Sequence, residues 1–89
     1  MKHSPNVVFR DLDGEAVLLD LSSGTYFGLN EVGTRVWQLL AYGRDEGQIV
    51  AALAAEYDAD AAVIAGDVAR LLGDLRSRRL IVEGVDGQR

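Results

Sequence analysis

The stretch from Ala16 to Leu40, AVLLDLSSGTYFGLNEVGTRVWQLL, decides the fold. Two short strand-like runs are joined by Ser22-Ser23-Gly24, and the second passes through Asn30 directly into an amphipathic helix. Strands repeat at a period of two and helices at about 3.6, so the change of period at Leu29-Asn30 marks where sheet gives way to helix. Asn30 is a favourable N-cap, because its side-chain oxygen can accept from a first-turn N–H, and Glu31 follows where a carboxylate complements the helix dipole. Val32, Val36, Leu39 and Leu40, with Trp37 beside them, form an apolar stripe wide enough to close over a sheet. Leu29, just before the cap, can pack on the first turn as a staple.

Toward the N-terminus, residues 7–10 read as a short strand. Leu12-Asp13-Gly14 supplies a turn, since Asp and Gly tolerate the positive φ of a tight hairpin. Residues 15–21 pair back on that strand and residues 25–29 form a third, a meander that needs helices on one face to be stable. The middle strand is expected to be structural, and the third to lie at an edge. Toward the C-terminus, Tyr42-Gly43 ends the first helix and Asp45 caps a second over 46–56, with Ile49, Val50, Leu53 and Ala54 at helical spacing. A third helix follows Asp60 and runs to about Arg79. Ile64, Val68, Leu71, Leu72 and Leu75 make its apolar stripe, while Asp67, Arg70, Asp74 and Arg78 can pair across turns. Residues 80–82 read as an extended tail packed on the body. The expected fold is α+β and winged helix-turn-helix-like, a three-stranded antiparallel sheet followed by three helices. Residues 7–83 form a single domain, 1–6 a flexible N-terminus and 84–89 a frayed end.

Composition narrows the function classes. A chain of 89 residues buries only roughly 60–65% of its unfolded surface, too little to enclose a large active site. Apolar residues make up 48% and charged ones 26%, which places the chain among folded domains rather than disordered ones. Without cysteine there is no disulfide, no thiolate nucleophile and no zinc-cysteine site. The first residues carry no apolar run of signal-peptide length and no stretch could span a bilayer, so a cytoplasmic location without membrane contact is expected. The formal net charge of −5 repels phosphate backbones, which argues against nucleic acid.

Chemistry-bearing residues are sparse. His3 falls in the expected tail, where a general base would lack a fixed partner. Ser22, Ser23 and Ser77 have no evident base. Asp11-Leu12-Asp13-Gly14 resembles the opening motif of aspartate-nucleophile phosphatases, but those hang it on a parallel sheet in a far longer chain, so it reads as a hairpin turn. Asp11, Asp13 and Glu15 alternate like calcium-loop ligands, yet the Gly falls too early and no Glu closes a loop of about twelve residues. No catalytic residue, metal site or cofactor is expected. A winged-helix shape suggests DNA binding, and Arg76, Arg78 and Arg79 form a basic cluster. Cations at a helix C-terminus follow from the dipole alone, however, and Asp67 and Asp74 interrupt the face.

Taken in order, VLLDLSSGTYFGLNEVGTRVWQLL, IVAALAAEYDAD and DVARLLGDLRSRRLI resemble the PqqD family of peptide chaperones, also called the RiPP recognition element, over about residues 7–82. The Ser-Gly-Thr-Tyr-Phe-Gly-Leu-Asn run after a Leu-Asp-Leu strand is similar to the stand-alone members of lasso-peptide biosynthesis. The resemblance implies a non-catalytic adaptor that binds the leader segment of a ribosomally made precursor and delivers it to a leader peptidase and an ATP-dependent macrocyclase. A chaperone of another modified-peptide pathway and a winged-helix DNA-binding regulator are the alternatives. It further implies that the leader adds as an antiparallel strand beside Thr25, Tyr26, Phe27, Gly28 and Leu29. The third helix would bound the groove, with Val68, Leu71, Leu72 and Leu75 as its floor and Asp67 and Arg70 at its rim. Backbone pairing at an exposed edge gives sequence-independent affinity, and side-chain pockets give selectivity. The chain is expected to be a monomer or a strand-swapped dimer.

Overall fold

The computed structural model describes residues 1–83, so the expectation for 84–89 lies outside the described residues. Eight elements follow in chain order: β1 (Lys2–His3), β2 (Val7–Leu12), β3 (Glu15–Asp20), β4 (Thr25–Gly28), α1 (Glu31–Ala41), α2 (Glu46–Tyr57), α3 (Ala61–Ser77) and β5 (Ile81–Val82). β2, β3 and β4 form an antiparallel meander with β3 in the middle, and β1 pairs with β5 in a separate two-stranded ribbon. The α+β fold read from the sequence is therefore the fold observed.

Local chemistry accounts for each corner. Asp13 and Gly14 both take positive φ, as a two-residue hairpin turn requires, and the Asp11 carboxylate accepts the Gly14 N–H at 2.8 Å. Asp11 is thus a turn residue. In the next turn the Asp20 carboxylate accepts from the Ser22 N–H at 2.9 Å and the Ser23 hydroxyl at 3.1 Å, and Gly24 takes φ +74°. Asn30 caps α1 by accepting the Gly33 N–H at 2.8 Å. Gly33 fits closely there, since a Cβ would lie 3.3 Å from both the Asn30 Oδ1 and the Leu29 side chain and would push them apart by a few tenths of an ångström. Asp45 and Gln48 make a reciprocal capping box on α2. α3 ends with Arg79 at φ +59°, the Arg79 N–H bonding the Arg76 carbonyl and the Leu80 N–H reaching back to Leu75, a Schellman closure without glycine.

The three helices cover one face of the sheet. Ala16 and Leu18 of β3 are buried with Val36, Trp37 and Leu40 of α1, Ile49 and Leu53 of α2, and Val68, Leu72 and Leu75 of α3. On the other face, strand alternation places Val8, Leu12 and Tyr26, all exposed, with Val8 and Tyr26 on either side of Leu19. One side chain splices the two layers. The Thr34 hydroxyl, 3% exposed, accepts the Ala16 N–H at 2.7 Å and approaches the Leu29 carbonyl at 3.4 Å. The Leu29 N–H bonds the Ala16 carbonyl at 2.8 Å. Thr34 thereby takes the place of the missing half of that hydrogen-bonded pair, at the point where β4 leaves the sheet.

The N-terminus departs from expectation. Instead of trailing free, Lys2 and His3 pair with Val82 and Ile81, and the Ser4 N–H bonds the Leu80 carbonyl at 3.0 Å. Leu80 and Ile81 are buried, so their backbone groups need partners, and β1 supplies them. The His3 ring stacks on Trp37 at 3.6 Å between centroids, with Phe9 edge-on to both, and its Nε2–H donates to the Trp37 carbonyl at 2.8 Å. The Trp37 indole N–H has no acceptor among the described residues. That omission costs about 1–3 kcal/mol, less than the about 3–5 kcal/mol lost when a buried aromatic is truncated.

Thr34→Val leaves the Ala16 N–H buried and unpaired, and should cost about 1–3 kcal/mol in urea unfolding, with Thr34→Ser retaining most of the stability. A Val variant as stable as the parent would remove Thr34 from its structural role. Burial lowers the His3 pKa, an effect only partly opposed by the bond to the Trp37 carbonyl. The unfolded chain therefore binds this proton first. His3 stabilises fully above its unfolded pKa of about 6.5, and that contribution is lost as pH falls through the lower folded value. The difference in urea midpoint between the parent and His3→Gln should narrow from about pH 7.5 to about pH 5.5. A gap that stays constant would contradict this.

Candidate peptide-binding edge and groove

The edge of β4 is open among the described residues. β4 pairs with β3 in the register Val17–Gly28, Leu18–Phe27, Leu19–Tyr26 and Asp20–Thr25. The Leu29-to-Ala16 bond fixes the alternation, so Phe27 and Thr25 turn their backbone groups toward β3 while Tyr26 and Gly28 turn theirs outward. Two N–H and two C=O groups are thus presented along the free edge. Side chains alternate the other way. Phe27 and Leu29 lie on the helix side, and Tyr26, 67% exposed, points to the uncovered face with Gly28. A Cβ at Gly28 would meet nothing within 4 Å, so the glycine answers to no packing demand inside the chain.

Beside this edge, between β4, the first turn of α1 and α3, runs an open groove of about 410 Å³. Phe27, Gly28 and Leu29 line it from β4 and the residue after it, with Val32 and Val36 of α1, Leu53 of α2, and Ile64 and Val68 of α3. Leu71 is half-buried on its flank, and Asp67, Arg70 and Asp74 form the rim. Arg70 is paired with Asp67 at 3.0 Å, and both are exposed, so the pair contributes little to stability. α2 helps hold this arrangement, its Glu56 bonding Arg35 of α1 in a two-pronged contact at 2.9 and 2.8 Å. Those hydrogen bonds raise the Arg35 pKa and lower that of Glu56.

Of the residues singled out from the sequence, the structure brings Phe27, Gly28, Leu29, Asp67, Val68, Arg70 and Leu71 to the groove. Leu72 and Leu75 do not reach it. They are 1% and 0% exposed and belong to the core, because the apolar stripe of α3 is wider than the groove. Thr25 lines a separate hollow of about 190 Å³ beyond Phe27, with Asp20, Ser23, Arg78 and Leu80. Tyr26 lines neither. The contributions of Val32, Val36, Leu53 and Ile64 were absent from the sequence reading, since each reads as ordinary helix core and only the gap between α1 and α3 uncovers it.

Comparison with known proteins places this geometry. A family model described as coenzyme PQQ synthesis protein D (PqqD) matches residues 15–81. Among solved structures, TbiB1 in complex with the TbiA(beta) leader peptide is 44% identical, with a TM-score of 0.86 over 94% of this chain and 96% of that one. A lasso peptide synthetase B1 complexed with the leader peptide is 26% identical, with a TM-score of 0.83 over 92% of this chain and 96% of that one. No curated protein sequence matches. The family match spans the meander from β3 onward and all three helices, and on that basis the chain belongs to the PqqD family.

Proposed function

We propose that this protein binds the leader segment of a ribosomally synthesised precursor, most closely that of a lasso peptide, as an added strand on β4. The observation that carries this reading is the conjunction of an unpaired edge at Tyr26 and Gly28 with an apolar groove directly beside it. Likeness to two leader-bound structures supports it. Hydrogen bonds to the outward groups contribute about 0.5–1.5 kcal/mol each, and ordering a free peptide costs about 2–5 kcal/mol. Backbone pairing therefore roughly offsets its own ordering cost. The net affinity comes from apolar side chains entering the groove, at about 1.5–3 kcal/mol each, so selectivity resides mainly on α3 and its neighbours.

The protein acts on this reading as a non-catalytic adaptor, in the cytoplasm, handing the bound precursor to a leader peptidase and an ATP-dependent macrocyclase. DNA binding is disfavoured by the charge of −5. The cations that might serve it are also dispersed, with Arg76 paired to Glu83 and Arg78 over the Phe27 ring.

Fluorescence anisotropy with the cognate leader and with the TbiA(beta) leader should give saturable binding at micromolar concentration or below. Leu71→Asp, on the half-buried flank, should weaken it at least about tenfold, which is about 1.4 kcal/mol, while leaving the circular dichroism unchanged. Failure of both leaders to bind would sink the proposal. Val68 is the wrong probe despite lining the groove. At 2% exposure an Asp there would be a buried unpaired charge costing about 4 kcal/mol or more, so Val68→Asp should unfold the domain in thermal melts rather than report on binding.

A further inference from the structure

We infer that the hollow beyond Phe27 is a second subsite, built to take an acidic side chain of the docked peptide. This rests on the leader-binding reading and adds to it a charge and a position. The hollow and the main groove lie on either side of Phe27, which lines both. Thr25 and Phe27 line the hollow, and Phe27, Gly28 and Leu29 line the groove, so a peptide lying along β4 passes both.

Arg78 supplies the recognition. Its guanidinium sits 4.8 Å above the Phe27 ring, held by cation–π attraction at the closing turn of α3. The other cations near the groove are spent, Arg70 on Asp67 and Arg76 on Glu83, while the Arg78 side chain forms no ion pair or hydrogen bond with a described residue. With one face on Phe27, its in-plane N–H donors are free for a carboxylate, the group whose geometry they match. Asp20 lines the same hollow with its charge intact, its oxygens held by the Ser22-Ser23 turn, so Arg78 and Asp20 leave the hollow with no net charge. At the other end the rim holds Asp67 and Asp74 against Arg70 alone, a net negative charge that disfavours an acid there relative to the hollow. The binding face is thus polarised, and the acidic residue belongs at the Thr25 end. In an antiparallel addition that end meets residues C-terminal to the apolar anchors.

Selection from a phage-displayed library of random 16-residue peptides tests this, using the parent, Arg78→Glu and Leu71→Asp. Parent-selected peptides should share an Asp or Glu at one fixed spacing C-terminal to their apolar residues. Arg78→Glu should select Lys or Arg at that spacing, and exchanging the charge in a synthetic peptide should change affinity at least about tenfold in opposite directions for the two proteins. Arg78→Gln, which keeps size without charge, should lose the preference altogether and serves if Arg78→Glu fails to fold. Peptides that depend on Leu71 yet show the same residues at that spacing for every Arg78 form would overturn the subsite and leave leader binding standing. A library and both leaders that fail to bind the parent would overturn the two together.

Discussion

The Thr34 hydroxyl is the contact on which the arrangement depends. Where β4 ends, the Leu29 N–H still bonds Ala16, but the Ala16 N–H is met by Thr34 from the first turn of α1. One buried oxygen therefore stops the strand, starts the helix and ties both to the central strand. Gly33 and the Asn30 cap close the same corner, where only Leu29 and Asn30 separate β4 from α1. The open edge and the apolar groove are adjacent because this joint leaves no slack between them.

A small domain that binds an extended chain must leave an edge unpaired, and unpaired edges invite aggregation. β2 and β4 both lie at edges here, but they are differently furnished. β2 has Phe9 packed edge-on against Trp37 and His3, and the Asp11 carboxylate is held by the Gly14 N–H. β4 is only four residues long and opens onto a hollow lined by Phe27 and α3. Backbone pairing offers nearly the same energy at either edge. The groove distinguishes them, which is why the peptide reading attaches to β4.

Much of this was legible in the sequence, for stated physical reasons. The change of period at Leu29-Asn30, the Asp13-Gly14 and Ser22-Ser23-Gly24 turns, and the caps Asn30, Asp45 and Asp60 are local signals, and each element they imply is present. Strand and helix alternation fix which face Phe27, Val68 and Leu71 each present, while their meeting in one groove is implied only by the resemblance to the PqqD family. What escaped was non-local. Pairing of Lys2–His3 with Ile81–Val82 joins segments at opposite ends of the chain, and a strand of two residues carries no period. The stacking of His3 on Trp37 has no sequence signature at all. Thr34 looked like one more helical residue, since its task depends on an unpaired N–H eighteen residues earlier. Leu72 and Leu75 were assigned to the groove because a helical stripe gives the buried face of α3 without saying which part another element covers.

The central claim is that a leader pairs with the outward backbone groups of β4. Amide hydrogen exchange read residue by residue by NMR, with and without saturating leader, tests it most directly. The outward N–H groups of Tyr26 and Gly28 should become strongly protected on binding, while those of Phe9 and Asp11 on the opposite edge stay as they were. Phe27, already bonded to β3, should change less than its two neighbours. Protection appearing on β2, or leader binding that leaves Tyr26 and Gly28 exchanging at their free rates, would contradict the account.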